Sequence, residues 1–188
     1  MSGPPPACIH TERLLLRVPE ARDVQAIVAY YRANEAHLRP WSPSWPEGFL
    51  TESFWQEQAR AVQAEHTEGS ASRFYLSERK RPDQVIGSLA LTQIVRGGAQ
   101  SAVLGYGLAA GSQGAGFMVE SVQAGVAFAF ATLRLHRVMA NYMPANRRSA
   151  AVLRRCGFNV EGYARDYLLI NGRWEDHVLT ALSNPNWS

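Results

Sequence analysis

Cysteine and lysine are scarce in this sequence. Only Cys8 and Cys156 among the 188 residues are cysteines, and Lys80 is the one lysine. Two cysteines cannot build a disulfide scaffold or a zinc site made of thiolates, and such low cysteine usage is typical of proteins in the reducing cytoplasm. We therefore expect a cytoplasmic protein.

Long apolar runs are missing as well. No run approaches the roughly 20 residues that a membrane-spanning helix needs. Residues 1–7 contain three consecutive prolines, with neither a basic start nor an apolar stretch, so they do not indicate a secretory signal. We expect no membrane partner.

The excess of positive charge is small, with a formal net charge of +3. Such a balance does not predict direct contact with nucleic acid, although arginine suits a phosphate group through paired hydrogen bonds. The five histidines form neither an H-x-x-x-H nor an H-E-x-x-H pattern, so no metal is expected. A polyanionic small ligand is compatible with this composition.

Hydrophobic periodicity predicts an α+β fold with a mixed central sheet of about seven strands and four helices. A flexible leader is expected over residues 1–10 and a single domain over residues 11–188. The predicted strands are 11–18, 73–78, 84–95, 102–109, 136–143 and two within 159–182 that meet at Asn171-Gly172; the predicted helices are 20–34, 51–69, 117–133 and 146–155, and the proline-rich stretch 37–48 is predicted as loop.

Three glycines separate a predicted strand from a predicted helix. Gly111, Gly114 and Gly116 leave backbone N–H groups open to a ligand, and the start of the following helix favours a phosphate. The same glycines also fit a tight turn that merely requires positive φ. No Gly-Lys-Ser/Thr follows, and the order G-x-x-G-x-G differs from the dinucleotide fingerprint. A nucleotidase P-loop and a Rossmann site are therefore disfavoured.

Further stretches resemble a known family. Gln113-Gly-Ala-Gly116, Asn146-Arg-Arg-Ser149 and Gly157-Phe158 are similar to the acetyl-CoA motif of GCN5-related N-acetyltransferases (GNAT), a resemblance that extends over residues 11–182. Two more stretches, 136–144 and 163–177, are similar to the RimJ/RimL-type ribosomal-protein alanine N-acetyltransferases.

The resemblance implies a GNAT fold whose fourth and fifth strands splay apart around acetyl-CoA. The cofactor-binding residues that it implies are Tyr106, Gly107 and Leu108 along the fourth strand, Gln113, Gly114, Ala115, Gly116 and Phe117 at the pyrophosphate, and Asn146 and Ser149 at the pantetheine arm. A backbone N–H of the fourth strand would hold the thioester carbonyl.

Two positions depart from the family pattern. Gly111 stands where many members have Gln or Arg, and Leu153 stands where many have the Tyr that protonates the leaving thiolate. In RimL-type relatives a serine three positions after the Asn has that role, and Ser149 matches it. Ser149 is therefore the candidate general acid, although a serine at a helix start also commonly bonds the local backbone.

The acceptor decides how strong a base is needed. A protein α-amine has a pKa of about 7.7–8.0 and is partly neutral near pH 7, whereas a lysine side chain with a pKa of about 10.4 is not. A weak base therefore suits an α-amine. Glu161 and Asp166 are the candidate bases, and solvated surface charges are the competing interpretation.

Other side chains are candidates for the acceptor cleft or for support. Trp41, Tyr142 and Tyr167 are the candidate substrate-binding aromatics. Glu120 is expected to complement the helix dipole or to join a network. His136 and His177 are further candidates for catalysis, but histidines beside apolar strands are usually structural.

The resemblance implies direct transfer of acetyl from acetyl-CoA, in a ternary complex, to the N-terminal α-amine of a protein, specifically alanine of a small-subunit ribosomal protein. Acetylation of a small amine (a polyamine or an aminoglycoside) and a non-catalytic acyl-CoA-binding module in ribosome assembly are the alternatives. The oligomeric state stays open.

Overall fold

An eight-stranded mixed sheet forms the centre of the protein in a computed structural model that describes residues 5–187. The strands are β1 (Cys8–His10), β2 (Leu14–Arg17), β3 (Ser72–Glu78), β4 (Arg81–Val95), β5 (Ser101–Leu108), β6 (Arg137–Met139), β7 (Asn159–Ile170) and β8 (Arg173–Ser183). They lie in the order β1-β2-β3-β4-β5-β6-β8-β7, and all neighbours are antiparallel except β5 and β6. The α+β class and the mixed sheet are confirmed.

Five α-helices connect these strands in the described residues. They are α1 (Val24–Ala33), α2 (Glu35–Leu38), α3 (Glu52–Glu68), α4 (Phe117–Ala127) and α5 (Arg147–Arg155). The prediction of a loop over 37–48 was wrong at its start, because α2 and a 3-10 turn over Arg39–Trp41 occupy it. Pro40 falls within the first residues of that turn, where its missing N–H has no partner to lose.

The first strand lies inside the stretch that the sequence predicts as a leader. Cys8–His10 pairs with β2, and Ile9 packs against the main core. A strand of three residues is too short to give a periodic signal, which explains why it was missed. Residues 1–4 of the predicted leader lie outside the described residues.

Helix α3 follows its sequence signals closely. The hydroxyl of Thr51 accepts a hydrogen bond from the backbone N–H of Phe54 at 3.3 Å, which caps the helix start. Gly69 ends the helix with φ +75°. Between these caps Trp55 and Ala59 are buried against α1 and the sheet.

The apolar segment 117–133, predicted as one helix, changes its winding partway. Helix α4 ends at Ala127 and continues as a π-helical turn over Phe128–Thr132. Phe128 there packs edge-on against Phe74 of β3, with 5.3 Å between ring centroids. No helix among residues 5–187 has both the length and the apolar character that crossing a bilayer requires.

The sheet is split between β5 and β6. The two strands pair only over Ser101–Val103, at the start of β5. Beyond Met139 the chain stays with β8, since the N–H of Ala140 donates to the carbonyl of Thr180 and Tyr142 exchanges hydrogen bonds with Val178. A gap therefore opens along the second half of β5. Because β1 adds one strand, the pair predicted as fourth and fifth is the fifth and sixth.

Candidate functional site

The edge of β5 that faces the gap carries free backbone groups. The N–H of Ala109 donates to the carbonyl of Ile86 at 2.8 Å, so the odd-numbered residues of β5 bond to β4. Strand hydrogen bonds alternate in direction along an antiparallel pair. The N–H and C=O groups of Tyr106 and Leu108 therefore point into the gap, beyond the residues of β5 that pair with β6.

The other edge of β5 lies unusually close to β4. A Cβ atom on Gly87 would be 2.6 Å from the carbonyl oxygen of Gly107. Only glycine fits at position 87, and β4 holds β5 firmly in place. The open edge of β5 thus lies on a rigid support.

Tyr106 and Ser149 meet across the gap. The phenolic oxygen of Tyr106 lies 2.8 Å from Oγ of Ser149. Asn146 begins α5, and its side-chain oxygen accepts the N–H of Ser149 at 3.1 Å, which fixes the serine on the first turn. Burial raises the pKa of Tyr106, despite the opposing effect of the hydrogen bond with Ser149. Both hydroxyls therefore stay protonated at neutral pH.

The glycine loop leads directly into α4. Gly114 and Gly116 both have φ +82°, a backbone conformation that favours glycine, and Gly116 is the N-cap of the helix. Gly111 lies outside the left-handed region. Gly114, Ala115 and Gly116 are exposed, so the amides at this helix start are open to a ligand.

Glu120 and Arg13 support the glycine loop through hydrogen bonds. The carboxylate of Glu120 accepts hydrogen bonds from the Thr11 hydroxyl at 2.5 Å and from Nε of Arg13 at 2.7 Å, and Nη1 of Arg13 donates to the carbonyl of Ala115 at 2.8 Å. Burial tends to raise the pKa of Glu120, but the hydrogen bonds from Thr11 and Arg13 outweigh it and lower the pKa. Glu120 thus joins a network rather than facing the gap.

The face of the sheet away from α5 carries a second group of polar side chains. Asn141 donates from Nδ2 to the hydroxyl of Tyr167 at 3.2 Å, and the rings of Tyr167 and His177 are 5.5 Å apart. A bulge in β7 produces this arrangement: residues 165–167 lie opposite Asp176 alone. Bulges commonly re-aim side chains beside functional sites.

The same face contains two hydroxyls near the gap. The position that a Cβ on Gly107 would take lies 3.4 Å from Oη of Tyr30 and 3.8 Å from Oγ of Ser88. Leu38 of α2 is also close, with its Cδ2 at 3.6 Å from that position. These side chains form a wall beside β5 on the face away from α5.

The remaining predicted aromatics are not all on one face. Tyr142 lines a cavity of about 380 Å³ between α5 and the strands, together with Arg147, Arg154 and Val178. Trp41 is 40% exposed at the end of the 3-10 turn. The carbonyl of the next residue, Ser42, accepts the N–H of Asn171, which ties this turn to the β7–β8 connection.

Neither candidate carboxylate lies with Ser149. Glu161 forms an ion pair with Arg137, in the part of β6 that still pairs with β5. Asp166 is exposed in the bulge with φ +47°, and its N–H donates to the Asp176 carboxylate at 2.9 Å. The structure therefore provides no contact that joins either carboxylate to the hydroxyl pair.

Arginines on α5 divide between two cavities. Arg147 and Arg154 line the cavity that contains Tyr142. Arg155 lines a second cavity of about 360 Å³ beside the loop, with Arg13 and Gly116. The second cavity also contains the carboxylates of Glu12 and Glu120, and Glu120 is paired with Arg13, so Arg155 is the remaining guanidinium group beside Gly116.

Sequence patterns missed part of the site. Tyr30 and Ser88 lie far apart in sequence and come together only because α1 packs on β4 and β5. Asn141 is a neighbour of the predicted Tyr142, and strand alternation puts the two side chains on opposite faces. The alternation rule, applied to 136–143, would have indicated that one of them faces away from α5.

Comparison with known proteins gives a consistent result. Residues 13–159 match the family model described as acetyltransferase (GNAT) domain. The chain is 41% identical to the ribosomal protein uS5-alanine N-acetyltransferase of Escherichia coli (strain K12), and the match covers 100% of this chain and 96% of that protein.

Solved structures show the same fold. The ribosomal-protein-S5-alanine acetyltransferase from Vibrio fischeri superposes with a TM-score of 0.91 at 33% identity, covering 97% of this chain and 100% of that chain. RimJ from Mycobacterium smegmatis, in complex with CoA-disulfide, superposes with a TM-score of 0.87 at 28% identity, covering 97% of this chain and 90% of that chain.

Proposed function

This chain belongs to the GNAT acetyltransferase family and is an acyltransferase, and we propose that it acetylates the N-terminal α-amine of a protein, namely alanine of a small-subunit ribosomal protein. The observation that carries this proposal is the full-length 41% identity to an enzyme named for that reaction. The neighbour with a TM-score of 0.91 bears the same kind of name. We infer that the reaction takes place in the cytoplasm, as the low cysteine content suggests.

Acetyl-CoA is the proposed acetyl donor. Its pyrophosphate would be held by the amides of Gln113–Phe117, at the positive end of α4. The pantetheine arm would lie along the free edge of β5 and hydrogen-bond to it as an added strand does. Gly107 and Leu108 line that path, and Asn146 stands where the arm passes α5. Arg155, which lines the cavity beside the loop, is the proposed contact for a further phosphate group.

The chain supplies two parts of the chemistry on the side of α5. The N–H groups of Tyr106 and Leu108 point into the gap, so one of them would stabilise the negative charge that develops on the thioester oxygen. Ser149 would donate a proton to the departing sulfur. Tyr106, held 2.8 Å away, positions the Ser149 hydroxyl and supports its proton donation.

The acceptor would approach from the other face. The coenzyme occupies the side of α4 and α5, which leaves the side of Tyr167 and Trp41 for the protein N-terminus. Tyr167 is held there by Asn141 at 3.2 Å. Tyr142, which lines the cavity under α5, is not assigned to the acceptor.

Peptide acetylation tests the proposal directly. The chain is incubated with acetyl-CoA and a peptide that begins with Ala, next to the same peptide with a blocked α-amine and a free lysine side chain. We expect transfer to the first peptide only. Transfer to polyamines or aminoglycosides with none to any α-amine would overturn the proposal in favour of a small-amine acetyltransferase. Acetyl-CoA binding without any transfer would favour a non-catalytic module.

A further inference from the structure

His177 of β8 has no role in the steps described so far. Its ring is buried, with 4% of the residue exposed, and lies beside Tyr167. We propose that His177 is the general base that removes a proton from the acceptor amine, an assignment that rests on the acetyl transfer proposed above. It replaces Glu161 and Asp166 in that role.

One hydrogen bond fixes the tautomer of the ring. Nδ1 of His177 lies 2.9 Å from the carbonyl oxygen of Glu175. A carbonyl oxygen only accepts, so Nδ1 must carry the hydrogen and donate it. In the neutral ring Nε2 then has a free lone pair, which is the requirement for a base.

That lone pair reaches solvent although the rest of the ring is buried. Within residues 5–187, every side-chain nitrogen or oxygen atom closed off from solvent has a hydrogen-bond partner. Nε2 of His177 has no partner among the hydrogen bonds of these residues. The atom is therefore not fully closed off from solvent, which leaves its lone pair open to a water molecule.

The strand pairing places His177 one strand behind the gap, because residues 140–142 lie between β8 and the open edge of β5. Val178, the next residue, forms the last backbone pair with Tyr142 before the chain leaves the sheet. Val178 and Tyr142 line the cavity under α5, so the alternation of β8 directs His177 to the opposite face. Ser149 belongs to α5. The candidate acid and base thus lie on opposite faces of the split sheet, as the two partners of the transfer require.

The charged groups around His177 do not compete with it as bases. The carboxylate of Asp176 accepts from the hydroxyl of Tyr163 at 2.5 Å and from the N–H of Asp166 at 2.9 Å. These two hydrogen bonds lower the pKa of Asp176, the Tyr163 contact most. The other titratable groups that neighbour His177 are Glu175 on its own strand and Arg165, Asp166 and Tyr167 in the bulge of β7.

The proton steps balance as follows. The neutral amine forms the C–N bond with the thioester carbon while the carbonyl electron pair moves to oxygen, and the nitrogen of this adduct gives a proton to Nε2 of His177. The electron pair on oxygen then returns to re-form the C=O bond while the C–S bond breaks with its electron pair on sulfur, which takes a proton from Ser149. Solvent removes the proton from His177 and restores that of Ser149, so one proton in total moves from nitrogen to sulfur.

A His177→Gln variant tests the assignment. We expect kcat/KM for an alanine-starting peptide to fall about 100-fold near pH 7, with the KM for acetyl-CoA unchanged. The loss should shrink toward about pH 9, where hydroxide takes over the proton. His136→Gln, which removes an exposed histidine outside the gap, should match the wild type. A loss of equal size at every pH, or no loss, would overturn the proposal.

Two further measurements separate this proposal from folding defects and from the proposed function. Nitrogen NMR of the unaltered protein should show the Nδ1–H tautomer for His177, and the Nε2–H tautomer would contradict the base role. Added imidazole should restore part of the rate of His177→Ala, and failure to do so with a folded variant counts against it. If the wild type acetylates no α-amine, the proposed function fails. If the wild type is active and the His177 variants are equally active, only this inference is rejected.

Discussion

The phenolic oxygen of Tyr106 lies 2.8 Å from Oγ of Ser149, which links β5 to the first turn of α5 across the split in the sheet. The two residues are 43 positions apart. Leu153, at the position where the family resemblance implies a proton-donating tyrosine, has a hydrocarbon side chain that is buried in the main core.

Removal of the Ser149 hydroxyl should slow acetyl transfer without weakening coenzyme binding. In Ser149→Ala we expect kcat to fall 10²- to 10⁴-fold, the usual span for a general acid, because the thiolate then leaves unprotonated. Steady-state kinetics and calorimetry with acetyl-CoA measure the two quantities. Ser53→Ala, at an exposed position of α3, is the matched control. Unchanged turnover in Ser149→Ala would reduce this serine to a structural residue.

Tyr106 should act through Ser149. We expect Tyr106→Phe to lower kcat about tenfold, and the double variant with Ser149→Ala to be no slower than Ser149→Ala alone, because both changes interrupt one proton path. Burial raises the pKa of Tyr106, so its ionisation should not appear in the wild-type rate profile between about pH 6 and pH 10. Multiplicative losses in the double variant would argue that the two hydroxyls work separately.

The loop glycines offer a matched pair of substitutions. Gly116→Ala forces an alanine into φ +82° and brings its Cβ to 3.5 Å from Nη2 of Arg13. The strain of about 1–2 kcal/mol and the blocked amides should raise the KM for acetyl-CoA about tenfold. Gly111→Ala has ordinary backbone geometry and nothing within 4 Å, so its KM should stay within twofold. Equal effects at both positions would contradict the loop assignment.

The Glu120 network should stabilise the fold in a pH-dependent way. The pKa of Glu120 is lowered in the folded state, so its contribution is present above the ordinary Glu pKa of about 4.3 and disappears as the pH falls through the folded value. We expect Glu120→Gln to lower the free energy of unfolding by about 1 kcal/mol at pH 7 and by much less below pH 4. Urea unfolding measures this, with the exposed Glu57→Gln as control. A cost that persists unchanged in acid would exclude the charge as its source.

The sequence signals were strongest where local chemistry decides the structure. The caps Thr51 and Gly69, the turn at Asn171-Gly172 and the glycine loop before α4 were all predictable, because each depends on a few neighbouring residues. The short strand over Cys8–His10 was not, since it is stabilised by its pairing with β2 rather than by its own pattern. The π-helical turn was hidden for the same reason, because Phe128 is placed by contacts with β3.

The candidate site shows the same contrast between features that neighbouring residues determine and features that tertiary contacts determine. Asn146, Ser149 and the loop lie on motifs, so they could be predicted as site residues from the sequence. The partner of Ser149 and the tautomer of His177 depend on which strands lie side by side, and no spacing in the chain encodes that. The bulge that aims Tyr167 at Asn141 is likewise visible only in the strand register.

The close approach of Gly87 to Gly107 has a mechanical consequence. It brings β4 and β5 tightly together, whereas strand pairing across the split is limited to three residue pairs, Ser101–Arg137 to Val103–Met139. Beyond Val103 the two halves of the sheet are therefore held together by contacts of other kinds, namely the Tyr106–Ser149 hydroxyl pair and the backbone hydrogen bond between Asn171 and Ser42.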